Sequence, residues 1–178
     1  MTSAVLPRRV AILGPASSGK TTLAAALAER YGTVWVPEYL REFVDVRGRV
    51  PVAGDQFYIA SMQREREDAA ARVAGGYLFC DTAPLMTAVY SRHYFGGIDD
   101  GLARLADGHQ ADYALTLVTA PDIPWVADGL QRECEEVSVI INRLLMEELA
   151  ARRIPYVMVS GAPDQRLAQV QRLLATAT

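Results

Sequence analysis

The sequence predicts an α/β fold with three layers, in which helices cover both faces of a parallel five-stranded sheet. Short apolar runs rich in β-branched residues alternate with longer segments of helix-forming residues, and glycine or proline marks many of the boundaries between them. This alternation is typical of parallel strands joined by right-handed helical crossovers. The length of 178 residues suits one domain with one core, over residues 1–178.

Each element is expected where the composition changes. The apolar runs predict strands over residues 9–13, 33–36, 77–80, 111–118 and 156–159. The helix-forming segments predict helices over residues 20–30, 38–46, 55–74, 82–94, 137–152 and 162–174. Residues 121–136 carry two prolines and a glycine, which predicts a loop.

A glycine-rich turn joins the first predicted strand to the first predicted helix. Residues 14–21, Gly-Pro-Ala-Ser-Ser-Gly-Lys-Thr, match the P-loop pattern G-x-x-x-x-G-K-[ST] in its required strand–helix context. In such a loop, successive N–H groups and the positive end of the helix bind phosphate oxygens. Lys20 would bridge the β- and γ-phosphates, and the hydroxyl of Thr21 would hold Mg²⁺. The motif therefore predicts binding of a nucleoside triphosphate with Mg²⁺; we expect ATP, and the motif leaves another phosphate donor open.

A carboxylate follows the third predicted strand. Asp81 comes directly after the apolar run 77–80, so in a parallel sheet it emerges at the carboxyl edge, beside the P-loop. There it would serve Mg²⁺ directly or through water. A second interpretation is a helix N-cap, in which Asp81 caps the helix predicted from residue 82. The two roles are compatible.

A P-loop alone does not separate kinases from GTPases or regulators. A GTPase would have a glycine three residues after Asp81, where this chain has Pro84. The guanine-reading pattern Asn-Lys-x-Asp is also absent from the sequence, since Asn142 precedes an arginine. These features favour a small-molecule kinase, with a P-loop ATPase that acts as a regulatory switch as the alternative.

A kinase also needs an acceptor pocket. After the second strand, Glu38, Tyr39 and Arg41 bring a carboxylate, an aromatic ring and a guanidinium to the same edge of the sheet as the P-loop. Glu38 would accept a hydrogen bond or a proton from a substrate hydroxyl. The alternative is an exposed pair of Glu38 and Arg41 that contributes little.

Residues 121–132 are the candidate for a lid that closes over the acceptor, because small kinases place their lid after the fourth strand. Arg132 would stabilise charge on the transferring phosphoryl group. Trp125 offers a flat face for stacking or for a cationic ring. Core packing of Trp125 and a solvated Arg132 are the alternatives.

Composition argues against several classes of function. The net charge of −3 argues against a nucleic-acid partner. Two cysteines, Cys80 and Cys134, are too few for a disulfide framework, and neither has a histidine at zinc-ligand spacing. No segment resembles a signal peptide or a transmembrane helix. We therefore expect a cytoplasmic protein with no membrane and no nucleic-acid partner, and the sequence leaves its oligomeric state open.

Together these motifs resemble the ribosylnicotinamide kinase domain of NadR-type proteins, which are grouped with AAA-type ATPases. The resemblance covers nearly the whole chain, and its most specific element is the Pro-Trp-x-x-Asp-Gly string at residues 124–129. The matching segments are Ser-Ser-Gly-Lys-Thr-Thr at 17–22, Val-Pro-Glu-Tyr-Leu-Arg-Glu at 36–42, Gln63, Cys-Asp-Thr at 80–82 and Asp-Ile-Pro-Trp-Val-Ala-Asp-Gly at 122–129.

The resemblance implies a transferase of NAD biosynthesis that phosphorylates the 5′-hydroxyl of nicotinamide riboside with ATP and gives nicotinamide mononucleotide. The implied ATP-binding residues are Gly14, Ala16, Ser17, Ser18, Gly19, Lys20, Thr21 and Thr22. The implied acceptor-binding residues are Glu38, Tyr39, Arg41, Gln63, Trp125 and Asp128. Another nucleoside-like acceptor remains an alternative.

The mechanism expected from these residues is in-line transfer to a sugar hydroxyl. Lys20 and Arg132 would neutralise phosphoryl charge, and Thr21 and Asp81 would position Mg²⁺. Either Asp81 or Glu38 would receive the hydroxyl proton. The expected fold is that of a P-loop kinase, with strand order 2-3-1-4-5 and a short helical lid.

Overall fold

The computed structural model describes residues 6–127 and 134–176. Its centre is a sheet of five parallel strands in the predicted order, β2-β3-β1-β4-β5. The strands are β1 (Arg8–Leu13), β2 (Trp35–Val36), β3 (Tyr77–Asp81), β4 (Leu115–Thr119) and β5 (Val157–Val159).

Helices connect the strands and cover the sheet. They are α1 (Lys20–Tyr31), α2 (Tyr39–Arg47), α3 (Gln56–Ala71), α4 (Pro84–Phe95), α5 (Asp100–Asp107), α6 (His109–Asp112), α7 (Glu135–Ala151) and α8 (Pro163–Thr176), with a short 3₁₀ turn at Ala53–Asp55 before α3. Within the described residues, none of these helices has the length and apolarity needed to cross a membrane.

Two buried clusters, one on each face of the sheet, create the three layers. Alternate residues of a strand point to opposite faces. Val10 and Ile12 of β1 therefore pack with α1 and α8, while Ala11 and Leu13 pack with α4, α5 and α7 on the other face. Burial on both faces explains why the central strands consist of nearly continuous apolar residues.

The strand order brings the predicted site residues to one edge of the sheet. Ile12 of β1 pairs in register with Asp81 of β3, so the P-loop and this carboxylate leave the sheet side by side. The segment after β2 lies beyond β3, and the segment after β4 lies on the other side of β1. The acceptor candidates and the lid candidate thus flank the P-loop from opposite sides.

The region before β4 differs from the sequence prediction. β4 begins at Leu115, later than predicted, because α5 and α6 occupy the preceding residues, where no helix was predicted. Asp99 caps α5 by accepting a hydrogen bond from the N–H of Leu102 at 2.9 Å. The C=O of Gly108 accepts the N–H groups that close the single turn of α6. The strand prediction for residues 111–114 was therefore wrong.

β2 is also shorter than predicted. The hydroxyl of Thr33 donates to the C=O of Tyr77 at 2.8 Å and accepts from the N–H of Gly75 at 2.9 Å. This side chain links the segment to the start of β3 in place of backbone pairing. The strand consequently begins only at Trp35.

Only part of the predicted lid can be compared with the structure. Residues 121–127 form neither helix nor strand, and α7 begins at Glu135. Residues 128–133 lie outside the described residues, so the expected short helical lid is not present within 121–127 and stays a prediction beyond it.

Candidate active site

The P-loop wraps around the carboxyl end of β1. Gly19 has a left-handed backbone with φ of 84°, which favours glycine. Gly14 lies so close to Thr119 that a Cβ there would stand 2.3 Å from the threonine hydroxyl oxygen. Lys20 begins α1, and its ammonium donates to the C=O of Pro15 at 2.8 Å. The only charged side chain of the loop is thus folded over the loop itself.

The other predicted ATP-binding residues lie in or beside this loop. The buried hydroxyl of Ser18 lies 2.6 Å from that of Thr119, which ties the loop to the end of β4. Ser17 has a φ of 56°, and its hydroxyl donates to the C=O of Val126. Of the remaining three, Ala16 is half-buried, and Thr21 and Thr22 are exposed.

A hydroxyl and a carboxylate meet where Mg²⁺ is predicted to bind. Thr21 donates from Oγ1 to Oδ2 of Asp81 at 2.5 Å. Asp81 is 1% exposed, and its Oδ1 has no hydrogen-bond partner among the described residues. A buried carboxylate oxygen without a donor is costly unless a cation neutralises it. The pair therefore fits Mg²⁺, whose remaining positions water and phosphate oxygens commonly fill.

The N-cap interpretation of Asp81 is wrong. α4 begins at Pro84, and its N-cap is Ala83, with no side-chain hydrogen bond to the helix. Between Asp81 and this helix, Thr82 adopts a φ of 77°, a rare conformation for a β-branched residue. Such strain is often retained at functional sites. Here Thr82 lies between Asp81 and a cavity that Thr82 itself lines.

A cavity of about 350 Å³ lies beside this turn. Its walls come from α2, α3, α4 and the segment between α2 and α3. Its polar lining residues are Glu38, Gln56, Gln63, Thr82 and Thr87. Its apolar and aromatic lining residues are Leu40, Val44, Val50, Pro51, Ile59, Tyr90, Tyr94 and Phe95. A mainly apolar wall with a few convergent polar groups is typical of a small-molecule site.

Two of the predicted acceptor residues line this cavity. Glu38, at the N-cap of α2, is 8% exposed, and Gln63 of α3 is 2% exposed. The Oε1 of Gln63 accepts from the N–H of Tyr39 at 2.9 Å, and its Nε2 donates to Glu67 at 3.4 Å. Arg41 lies at the surface, with its Nε 3.7 Å from the Glu38 carboxylate. The cavity therefore contains a carboxylate and an amide of fixed orientation.

Tyr39 is not among the described residues that line the cavity. It packs between α2 and α3. Its hydroxyl lies 3.3 Å from that of Tyr58, and this hydrogen bond, together with burial, raises the pKa of Tyr39 to about 12. Tyr39 affects the cavity only indirectly, because its backbone N–H donates to the Oε1 of the cavity-lining Gln63.

The lid candidates lie on the other side of the P-loop. Trp125 is half-buried and is not among the described cavity-lining residues, and its Nε1 is buried without a partner in the described part of the chain. The next residue, Val126, contacts the P-loop through Ser17. Asp128 and Arg132 lie outside the described residues.

A buried polar cluster supports the cavity behind Gln63. The hydroxyl of Tyr113 donates to the Glu67 carboxylate and lies 2.9 Å from its Oε1 and 2.7 Å from its Oε2, and Arg64 lies 3.1 Å from the same carboxylate. Burial raises the pKa of Glu67 to about 7, although Tyr113 and Arg64 act to lower it. The ring of His109 lies 4.5 Å from that of Tyr113, and burial lowers the pKa of His109 to about 4.

Sequence reasoning missed residues in both halves of the site. Tyr90, Tyr94 and Phe95 form an aromatic wall of the cavity, and the first two rings stack at 6.3 Å. Their spacing near the end of the helix after Asp81 is a signal that was available in the sequence. Thr119 and Arg166 contact the P-loop from distant segments, and no local pattern marks them.

Comparison with protein families supports the identification of the P-loop, because the matched region includes it. A family model described as "AAA domain" matches residues 9–166. The trifunctional NAD biosynthesis/regulator protein NadR of Salmonella typhimurium is 32% identical over 164 residues, which cover 87% of this chain and 38% of that protein. The chain thus spans about two fifths of the length of this relative. The resemblance to NadR-type proteins predicted from the motifs is confirmed.

Solved structures share the fold. A crystal structure of NadR protein in complex with NR superposes with a TM-score of 0.73 and 24% identity, over 88% of this chain and 46% of that one. Thymidylate kinase from Candida albicans gives a TM-score of 0.71 with 15% identity, over 98% of this chain and 94% of that one. At these identities the likeness establishes the fold alone.

Proposed function

The chain belongs to the P-loop family described as the AAA domain, and we propose that it is an ATP-dependent kinase that phosphorylates the 5′-hydroxyl of nicotinamide riboside. One observation carries this proposal. The turn at Asp81 and Thr82 joins the P-loop to a cavity of about 350 Å³ that is lined by a buried carboxylate, an oriented amide and aromatic rings. A phosphate donor and a small acceptor can therefore bind side by side.

The nucleotide half binds ATP through the P-loop. The backbone N–H groups and the positive end of α1 hold the phosphates, and Lys20 exchanges its hydrogen bond to Pro15 for one to a phosphate oxygen. Thr21 and Asp81 hold Mg²⁺, which supplies charge neutralisation for the phosphates when bound. The free-energy cost of this exchange is small, because a phosphate oxygen replaces the C=O of Pro15 as the acceptor for the Lys20 ammonium.

The acceptor half suits a nucleoside with a positively charged ring. Tyr90, Tyr94 and Phe95 offer aromatic faces, and Glu38 is a carboxylate of the same cavity. Both groups attract a cation such as the pyridinium ring of nicotinamide riboside. Gln63 can bond the carboxamide through its second N–H or its second lone pair. The relationship to NadR, which has been crystallised with NR, supports this choice of acceptor.

Proton transfer falls to Glu38 in this proposal. Of the two candidate bases, Glu38 lines the cavity, whereas Asp81 accepts the hydroxyl of Thr21 on the nucleotide side. The 5′-oxygen attacks the γ-phosphorus, the bond to the β–γ bridging oxygen breaks, and ADP leaves. The hydroxyl proton passes to Glu38, and Lys20 stabilises charge on the phosphoryl group. Arg132, Asp128 and Trp125 stay predicted contributors from the lid segment.

The test is acceptor-dependent turnover by the purified protein. Nicotinamide riboside with Mg·ATP is expected to give ADP and nicotinamide mononucleotide in equal amounts, followed by coupled assay and mass spectrometry. Deoxyadenosine, thymidine and thymidine monophosphate serve as matched acceptors without a cationic ring.

The outcomes separate the proposal from its alternatives. A kcat/KM for nicotinamide riboside well above that for the neutral acceptors supports it. Preference for a neutral nucleoside would keep the kinase and replace the acceptor. ATP hydrolysis that no acceptor changes would point to a regulatory ATPase and overturn the kinase proposal.

A further inference from the structure

Arg166, in the first turn of α8, is buried at 2% exposure although it carries a charge. Its guanidinium donates to the C=O of Gly161 at 2.9 Å, of Ala120 at 2.9 Å and of Ser18 at 2.5 Å, and to the carboxylate of Asp122. These acceptors belong to three separate segments: the P-loop, the residues after β4 and the loop after β5. One side chain therefore links all three.

Asp122 completes this link. Its second oxygen accepts from the N–H of Gly161 at 2.7 Å, so the segment after β4 and the loop after β5 are joined directly as well. The bond from Gly161 and the charge of Arg166 both lower the pKa of Asp122. The carboxylate is therefore ionised at neutral pH and balances the buried guanidinium.

The contact with Ser18 fixes a peptide of the P-loop. In a trans peptide the C=O and the following N–H point in opposite directions. Because the C=O of Ser18 points at Arg166, the N–H of Gly19 points away from it. A Cβ on Gly19 would lie 3.2 Å from the Arg166 Nη1, so the guanidinium packs directly against the outside of the turn.

We propose that Arg166 is a positioning residue for the nucleotide site. By holding the C=O of Ser18 on the outside of the loop, it directs the N–H of Gly19 inward, where phosphate oxygens bind in a P-loop. A planar guanidinium is suited to this task, because its fork of donors reaches several acceptors at once. The proposal rests on the nucleotide half of the proposed function and does not depend on the identity of the acceptor.

The experiment measures binding of the ATP analogue AMP-PNP with Mg²⁺ by calorimetry. Arg166→Gln is expected to raise its Kd by at least about tenfold, equivalent to about 1.4 kcal/mol. Arg166→Lys keeps the charge but lacks the fork, so we expect an intermediate value. Arg172→Gln, a change of an exposed arginine on the same helix, is the matched control and should leave the Kd unchanged.

Steady-state kinetics distinguish positioning of the nucleotide site by Arg166 from a purely structural role of this residue. Arg166→Gln should raise the KM for ATP by the same factor as the Kd and leave the KM for the acceptor unchanged. Equal increases of both KM values would overturn the proposal, and so would an unchanged Kd in folded Arg166→Gln. If circular dichroism finds Arg166→Gln unfolded, Asp122→Ala decides: weakening of about threefold, the scale of a partly exposed ion pair, supports the proposal, and no change overturns it.

Loss of the positioning role and loss of the proposed function would give different results. If the wild-type protein phosphorylates no nicotinamide riboside but Arg166→Gln binds AMP-PNP more weakly, the acceptor proposal fails and the positioning role stands. If nicotinamide riboside is phosphorylated and the AMP-PNP affinity of Arg166→Gln equals that of wild type, the positioning role fails alone.

Discussion

The two halves of the candidate site are built from different parts of the chain. The predicted phosphate half comes mainly from eight consecutive residues, 14–21, and would act through backbone groups, the Lys20 ammonium and the Thr21 hydroxyl, with the Asp81 carboxylate added from the end of β3. The acceptor half is a set of side chains from α2, α3 and α4 and from the segment that joins α2 to α3. A local backbone site suits a common ligand such as a triphosphate, whereas a site of dispersed side chains can change acceptor by substitution. Variants of the two halves should therefore affect different kinetic constants.

The largest effect is expected for Lys20→Ala. Loss of the ammonium that stabilises phosphoryl charge should lower kcat by about 10³-fold, the upper range for loss of one electrostatic contact. The exposed Arg30→Ala, in the last turn of the same helix, is the control, and circular dichroism should show both variants folded. Full kcat in Lys20→Ala would contradict the assignment of the phosphate half.

The buried polar cluster behind Gln63, which contains Glu67 and His109, should make the free energy of unfolding depend on pH. The pKa of Glu67 is about 7, above its ordinary 4.5, so the folded protein holds a proton that the unfolded chain loses, and stability falls as pH rises from 4.5 to 7. The pKa of His109 is about 4, below its ordinary 6.5, so stability rises as pH rises from 4 to 6.5. The two slopes oppose each other in the wild-type protein.

Single variants should reveal these slopes. In Glu67→Gln, the free energy of unfolding should rise by about 3 kcal/mol between pH 4 and 6.5, at about 1.4 kcal/mol per pKa unit. In His109→Gln it should fall by about the same amount between pH 4.5 and 7. Urea unfolding at several pH values measures both, with Glu65→Gln on the exposed side of α3 as the control. A flat profile for Glu67→Gln would contradict the lowered pKa of His109, and a flat profile for His109→Gln would contradict the raised pKa of Glu67.

Glu38→Gln tests whether Glu38 is the base that receives the proton between the two halves of the site. Loss of the base should lower kcat by about 10²-fold, near 2.7 kcal/mol, while the KM for ATP stays constant. Glu42→Gln, on the same helix but ion-paired to Arg66 at the surface, should behave as wild type. If Asp81→Asn lowered kcat and Glu38→Gln did not, the proton would be assigned to Asp81 instead.

The smallest effect is expected at the aromatic wall. Tyr94→Leu keeps apolar surface but removes a ring, so the acceptor KM should rise about fivefold with an unchanged KM for ATP, as for a partly exposed cation–π contact. Trp125→Leu removes a ring outside the described cavity lining and should change the acceptor KM less. The reverse order would place the acceptor's ring under the lid segment.

The sequence was most informative where structure depends on neighbours in the chain. The P-loop and the β3 carboxylate could be located because a strand, a glycine turn and a helix follow one another, and the strand order was predicted correctly. α5 was missed although Asp99 is an N-cap residue, because its eight residues present only a short apolar pattern. Boundaries such as that of β2 depend on a side-chain bond from Thr33, which propensity does not include.

Residues whose role depends on packing could not be found in this way. Arg166 lies in a helix of polar composition, where a charge is normally exposed, and its burial arises only because three segments converge on it. Gln63 was identified through family resemblance, but its fixed amide orientation follows from contacts with Tyr39 and Glu67. Sequence patterns predicted two residues that line the cavity, Glu38 and Gln63, whereas their burial and hydrogen bonds follow from tertiary contacts.

The folded-back ammonium of Lys20 has a consequence for chemical labelling. Lys20 is the only lysine in the 178-residue sequence, since every other cationic side chain of the Lys and Arg class is an arginine. Acylating reagents modify amines and leave guanidinium groups intact, so apart from the α-amino group they have one target. That target is 8% exposed and hydrogen-bonded to Pro15. Acylation of the peptide that contains Lys20, measured by mass spectrometry and compared with acylation of the α-amino group, would thus report whether the phosphate half is occupied.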